Sequence, residues 1–139
     1  MSQNAFFVML KPDALSRGLV GEILSRFEKR GFIFLKIKMM TPQDKNFNVV
    51  LKEHYVEFEK KSFYSTMMDF LQSDPVIILM MIGNIDTARE IVGSTIPSEA
   101  QRGTIRGDYA SSLPQNLIHC SHTAEAAARE VELWSAVFE

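Results

Sequence analysis

Residues 116–125 read NLIHCSHTAE and bring His119, Cys120 and His122 within four positions. They are two of the chain's 3 histidines and its 1 cysteine. Such a cluster can grip a metal, cap a helix or carry a nucleophile. A neutral imidazole is a competent nucleophile near pH 7, because its unperturbed pKa is about 6.5. On spacing alone, a structural or surface histidine is the ordinary outcome. The metal reading is weak: neighbours on a strand point to opposite faces, so His119 and Cys120 diverge. No second cysteine completes a tetrahedral set, and His54 is distant in sequence. No metal held by protein side chains is expected.

A nucleophile needs an orienting partner, and Glu130 follows His119 on the next helical pattern. Four extended residues from His119 to Thr123 span at most about 14 Å. Seven helical residues from Thr123 return about 10 Å. Glu130 can therefore come back beside His119, with Ser121 able to bond the same carboxylate. The ordinary alternative for Glu130 is a solvated helix charge.

These residues must be held by the surrounding elements. AFFVML (5–10) is an apolar run ending at Lys11-Pro12 and reads as a buried strand. Leu19, Ile23, Leu24 and Phe27 recur at helical spacing, with Gly31 at the C′ position. FIFLKIKMM (32–40) alternates, with Ile33, Leu35, Ile37 and Met39 on one face and Lys36 and Lys38 on the other. Thr41-Pro42 reads as an N-cap for a helix to about Glu57, followed by a short helix near 63–71. PVIILMMIG (75–83) reads as a central strand, and Asp86 as the cap of a helix ending at Gly93. Residues 93–115 have no sustained period, and a loop that long in a small domain is usually functional or disordered. NLIHC reads as the last strand, and Thr123 as the cap of a helix with Ala127, Val131 and Trp134 inward. The order β-α-β-α-α-β-α-β-α suits an α+β sandwich with helices covering a sheet.

Composition bounds the rest. The 139 residues suit one domain, 1–139, with a proper core. A net charge of -2 gives no broad basic field for nucleic acid or membrane. An RNA-binding sheet would need aromatic strand motifs and a basic face, and neither is present. One cysteine excludes an internal disulfide and fits a reducing compartment, and no signal peptide or spanning segment is evident. The chain is expected to be cytoplasmic.

LKPDAL, RGLVGEILSRFEKRGF, HY, GTIRGD and NLIHCS, in this order and spacing, resemble the nucleoside diphosphate kinase family. The similarity covers nearly the whole chain. It implies a ferredoxin-like fold with a four-stranded antiparallel sheet, and homo-oligomers, hexamer preferred and tetramer second. It implies transfer of the γ-phosphate of a nucleoside triphosphate, mainly ATP, to a nucleoside diphosphate. His119 would carry the phosphate between two half-reactions, oriented by Glu130 and Ser121. Tyr55 matches a phenol near that histidine. Lys11, Arg89, Thr95 and Arg106 match phosphate-binding positions. Gly103 and Gly107 would let the chain turn and present Arg106 inward. Asn116 would contact the ribose or its 3′-hydroxyl beside Lys11. Phe63, with Met67 as neighbour, matches the stacking residue, and stacking hardly discriminates among bases. Mg²⁺ would ride on the nucleotide phosphates and need few protein ligands. The common ATP cradles, a P-loop and a protein-kinase signature, are absent from the sequence.

The chain departs from the family pattern at several positions. Cys120 stands where a small residue is usual, and His122 where an acidic one is. Ile96 replaces a polar residue, and Arg102 a proline. The segment from Gly83 to Arg89 is short, and the sequence stops at Phe138-Glu139 without a longer tail, so the oligomer is expected to dissociate more easily. Pro97 lies in the loop that often packs between family dimers. A catalytically weak member serving as a nucleotide-binding interaction subunit is the alternative function.

Overall fold

The computed structural model describes residues 4–112 and 115–139. Strand β1 (Asn4–Leu10) runs through the centre of a four-stranded sheet with β2 (Ile33–Met40), β3 (Val76–Gly83) and β4 (Ile118–Cys120). The order is β2-β3-β1-β4, and every pairing is antiparallel. The helices are α1 (Pro12–Ser16), α2 (Val20–Glu28), α3 (Lys45–His54), α4 (Tyr64–Leu71), α5 (Ile85–Val92), α6 (Ile105–Tyr109) and α7 (Ala124–Trp134). This is the ferredoxin-like arrangement that the family resemblance implies, and its α+β class is the one that the order of elements anticipates. No helix of the described residues is long and apolar enough to cross a membrane.

Both faces of the sheet are covered, which explains why β1 and β3 are apolar throughout rather than alternating. Phe6, Val8, Leu10, Leu79 and Met81 pack with Ile23, Phe27, Ala88 and Ile91 of α2 and α5. On the other face Phe7, Met9, Ile78 and Met80 pack with Phe47, Leu51, Leu71 and Trp134 of α3, α4 and α7.

Several local expectations are corrected. Asp44, not Thr41, caps α3, accepting from the Phe47 N–H at 2.9 Å. That helix stops at His54, short of Glu57, and a 3₁₀ turn follows (Val56–Phe58). Asn84, not Asp86, caps α5, accepting from the Thr87 N–H at 3.0 Å. Asn84 holds the extended, non-helical cap position, whereas Asp86 already lies inside the first turn and cannot reach back as a cap. Gly31 (φ 86) lies two residues past the Lys29 C-cap, one beyond C′. The long loop holds a 3₁₀ turn (Pro97–Glu99) and α6; its residues 113 and 114 lie outside the described residues. The five-residue α1 has no period to betray it. Thr123 caps α7 as expected, accepting from Ala126 N–H at 3.0 Å.

The alternation in β2 does not give one inward apolar face. A bulge at Leu35 shifts the register between Phe34 and Lys36. The phase flips there, so Ile33 and Ile37 fall on opposite faces of the sheet. Ile33, Leu35, Ile37 and Met39 are all half exposed or more.

Candidate active site

His119 lies in β4 opposite Met9, while Cys120 lies opposite Val8 and packs with the other core. The two side chains therefore diverge as a strand requires. Thr123 starts α7, which runs back along β1 and delivers Glu130. The Glu130 Oε1 atom is 2.9 Å from His119 Nε2. Ser121 Oγ donates to the same oxygen at 2.7 Å and accepts from the Phe7 N–H at 3.1 Å. The Ser121 N–H donates to Phe7 O at 3.0 Å, so β1 locks this serine in place.

The electrostatics follow from burial and pairing. Burial alone would raise the Glu130 carboxyl, but the hydrogen bond and charge of His119, aided by Ser121, hold it down to about 2. Burial pushes the His119 imidazole down, against the pull of Glu130. His119 is thus held as a neutral ring near pH 7, with Nε2–H bonded to a carboxylate and Nδ1 left as the free nitrogen.

Arg106 and Lys11 form the cationic end. Arg106 Nε donates to Asn116 O at 3.2 Å and Nη1 to Gly93 O at 3.2 Å and Thr95 Oγ1 at 3.5 Å. Its Nη2 donates to Ile118 O. Lys11 Nζ donates to Asn116 Oδ1 at 2.7 Å, and Asn116 Nδ2 to Thr95 O at 3.1 Å. Burial pushes the Lys11 ammonium down, the Arg106 charge pushes it further, and Asp13 offsets part, leaving it at about 7. Arg106 is lowered to about 10, mainly by burial. Gly103 takes φ 92, and a Cβ on Gly107 would sit 1.8 Å from Gln101 O, so both glycines are needed to bring Arg106 inward.

An open cleft of about 1420 Å³ collects these groups. Lys11, Tyr55, Phe63, Met67, Arg89, Thr95, Arg106, Asn116 and His119 all line it. Ser121 and Glu130 lie beneath it, 0% and 2% exposed. Phe63 is 49% exposed at the start of α4, so its ring is not consumed by core packing. Tyr55 is buried, and burial raises its hydroxyl. His122 is exposed at the rim.

His54 is not remote, despite its distance in sequence. Its ring centroid is 4.6 Å from that of His119, and Trp134 Nε1 donates to its Nδ1 at 2.9 Å. Phe47, Leu51 and His54 recur at i, i+4 and i+7, the one signal that could have placed His54 on the buried stripe of α3. Donor atoms of His54, His119 and Glu130 all lie within 4.8 Å of one another. Mg²⁺ does not fit that group: it wants about six oxygens, and this set offers two imidazoles and one carboxylate. Among the described residues, the groups around Lys11 and Arg106 suit phosphate oxygens instead.

The backbone between Asn116 and His119 was also not foreseen. Leu117 has φ 77, and the Ile118 N–H donates to Asn116 O at 2.9 Å, closing a three-residue turn. β4 therefore begins at Ile118, not at Asn116.

The family model for nucleoside diphosphate kinase matches residues 4–139. The nucleoside diphosphate kinase of an Exiguobacterium species is 42% identical over 94% of this chain and 92% of its own length. That of Staphylococcus epidermidis is 45% identical over 92% of this chain and 85% of its own. Among solved structures, a halophilic nucleoside diphosphate kinase from Halobacterium salinarum, in complex with CDP, matches with a TM-score of 0.87. It is 37% identical, covering 96% of this chain and 88% of that one. A family member from Babesia bovis matches with a TM-score of 0.85 at 39% identity, over 94% and 87%. With His119 seated on Glu130 under a cationic cleft, and with these similarities along nearly its full length, the chain belongs to the nucleoside diphosphate kinase family, a family of phosphotransferases.

Proposed function

We propose that this protein transfers the γ-phosphate of a nucleoside triphosphate, chiefly ATP, to a nucleoside diphosphate by a ping-pong route through His119. The observation that carries the reading is the His119 Nε2–Glu130 Oε1 contact at 2.9 Å, which leaves Nδ1 as the free ring nitrogen of a residue that lines the cleft. The Nδ1 lone pair attacks the γ-phosphorus. The bond to the β,γ-bridging oxygen breaks, and the diphosphate leaves with that electron pair. The Nε2 proton stays on the ring, and Glu130 balances the charge that develops there. The second half-reaction reverses the step onto another diphosphate.

Lys11 and Arg106 stabilise charge on the transferring group, and Arg89 and Thr95 hold the outer phosphates. Asn116 meets the sugar beside Lys11. Phe63 stacks on the base and Met67 pads it, so base identity matters little. Tyr55 shapes the wall next to His119. Mg²⁺ would be held by the nucleotide phosphates rather than by side chains, and would supply neutralisation of their charge. The CDP held by the Halobacterium salinarum relative supports a nucleotide in this cleft.

The protein acts as a homo-oligomer, hexamer first and tetramer second. The support is β2, which among the described residues pairs only with β3 and shows four apolar side chains, each 50% exposed or more.

The test is to incubate the protein with ATP labelled at the γ-phosphate and follow label to protein, then to a second diphosphate. Expected is an acid-labile, base-stable phosphoenzyme that discharges to the diphosphate. A protein that binds nucleotide but takes up no label is the interaction subunit instead.

A further inference from the structure

Arg26 lies on α2, and neither it nor Asp108 nor Gly103 lines the cleft. All three of its guanidinium nitrogens are nonetheless engaged. Nε donates to Glu22 Oε2 at 2.8 Å, one turn earlier on the same helix. Nη2 lies 2.9 Å from Asp108 Oδ2, and Nη1 donates to Gly103 O at 3.4 Å. The guanidinium carbon stands 5.2 Å from the centre of the Tyr109 ring. Asp108 has a second task, because its Oδ1 accepts from the Gly103 N–H at 2.9 Å. One carboxylate oxygen is thus committed to Arg26 and the other to the glycine with φ 92. The pair grips Gly103 by both its N–H and its carbonyl.

This grip matters because α6 is only 5 residues long. So short a helix does not hold its shape through its own hydrogen bonds. Thr104 caps it, accepting from the Gly107 N–H at 2.9 Å and donating to Gln101 O at 2.7 Å. Ile105 is fully buried and anchors the segment in the core. One apolar anchor keeps the segment docked but does not set its rotation. Rotation decides whether Arg106, the next residue, can meet the carbonyls of Gly93, Asn116 and Ile118 together. The side chains of Arg26 and Asp108 are 21% and 28% exposed, so their ion pair adds little to global stability. A planar guanidinium fork supplies direction instead.

We propose that Arg26 is a positioning residue for Arg106: through Asp108 and Gly103 it fixes the 103–108 turn so that the Arg106 guanidinium is presented to the phosphates. The catalytic consequence rests on the kinase reading, and the geometry does not.

The variant is Arg26→Met in the full chain, which keeps an apolar stem and removes the fork. Two readouts are taken. One is kcat and KM for phosphate transfer from ATP to CDP. The other is the exchange rate with water of the Arg106 Nε–H, followed by ¹⁵N NMR without nucleotide and assigned by its loss in Arg106→Lys. Expected is a fall of at least ~fivefold in kcat/KM, carried mainly by kcat, with Nε–H exchange at least ~tenfold faster. Arg26→Lys, which keeps the charge, should recover part of both. The double variant with Asp108→Asn should be no worse than the more damaging single one, since both act through one contact. A merely structural Arg26 would lower the melting temperature and leave kcat, KM and the Arg106 exchange rate in place, and that outcome overturns the proposal, as do additive losses in the double variant. Should the parent transfer no phosphate while Arg26→Met still speeds the exchange, the kinase reading fails and the Arg26 assignment stands. If Arg26→Met does not fold, the milder Arg26→Lys and Asp108→Asn carry the same two readouts, and unchanged values in both overturn it.

Discussion

Trp134 Nε1 donates to His54 Nδ1 at 2.9 Å, and this bond makes His54 the Nε2–H tautomer. A protonated His54 could not accept it. Burial, with the His119 charge adding to it, accordingly pushes His54 from 6.5 to about 3. Glu130 falls from 4.5 to about 2. For both groups the unfolded chain binds more protons than the folded one inside those windows, so stability rises with pH there. Stability should be lost as pH falls from 6.5 toward 3 through His54, and from 4.5 toward 2 through Glu130. Urea unfolding at a series of pH values measures this. His54→Asn should flatten the upper part of the decline; an unchanged slope there would refute the assignment.

His119→Ala should abolish the phosphoenzyme, whereas His54→Asn should retain it at a reduced level. Burial lowers the His119 pKa, so the neutral nucleophile persists somewhat below 6.5 and the half-reaction fails only in more acid buffer. Label on the protein, counted after quenching at each pH, reports the limb. Near-normal ping-pong turnover in His119→Ala would remove the relay.

Glu130→Gln keeps the shape but loses the charge that balances the ring. It should lower kcat by more than tenfold, about 1.4 kcal/mol or more, with a smaller change in KM. Steady-state kinetics with two nucleotides separate the terms. Equal kcat would mean that Glu130 is only scaffold.

Lys11→Ala and Arg106→Ala should each cut kcat/KM by more than tenfold, about 1.4 kcal/mol. They should differ in stability. Arg106→Ala removes the side-chain donor to the carbonyls of Gly93, Asn116 and Ile118, of which Asn116 O keeps the Ile118 N–H, and should cost at least ~2 kcal/mol. Lys11→Ala strands one amide oxygen, Asn116 Oδ1, and relieves crowding beside Arg106. Thermal melts that rank the two the other way would contradict the hydrogen-bond pattern.

Ile37→Asp should lower the oligomeric mass seen by light scattering, because Ile37 is 54% exposed on the outer strand. His122→Asp, at the cleft rim, should keep the phosphoenzyme and change turnover less than about tenfold. A strict monomer in the parent at micromolar concentration would contradict the first expectation, and loss of the phosphoenzyme the second.

The fold was legible where a residue's environment follows from its own segment. β1 and β3 read as buried because continuous apolar runs need cover on both faces, and α7 read correctly because Thr123 is a strong cap. The contact between His119 and Glu130 was legible because chain reach from one to the other depends only on element type. What stayed hidden depends on distant partners. The Leu35 bulge is set by how β2 meets β3, and the alternation of Ile33 to Met39 carries no mark of it. His54 reaches His119 only through the packing of α3 on β1 and α7. Asn84 and Asp44 displaced Asp86 and Thr41 as caps because cap choice turns on backbone geometry two or three residues away.

The turn at Leu117 has a consequence for parity. In an unbroken strand, positions three apart face opposite sides of the sheet. Asn116 and His119 are three apart, yet both open onto the same cleft. The backward φ of Leu117 breaks the alternation just before β4 begins at Ile118. Had NLIHC been a regular strand from its first residue, the side chains of Asn116 and His119 would have pointed to opposite faces of the sheet. A variant that straightened the turn would redirect Asn116 while leaving every side chain in the sequence.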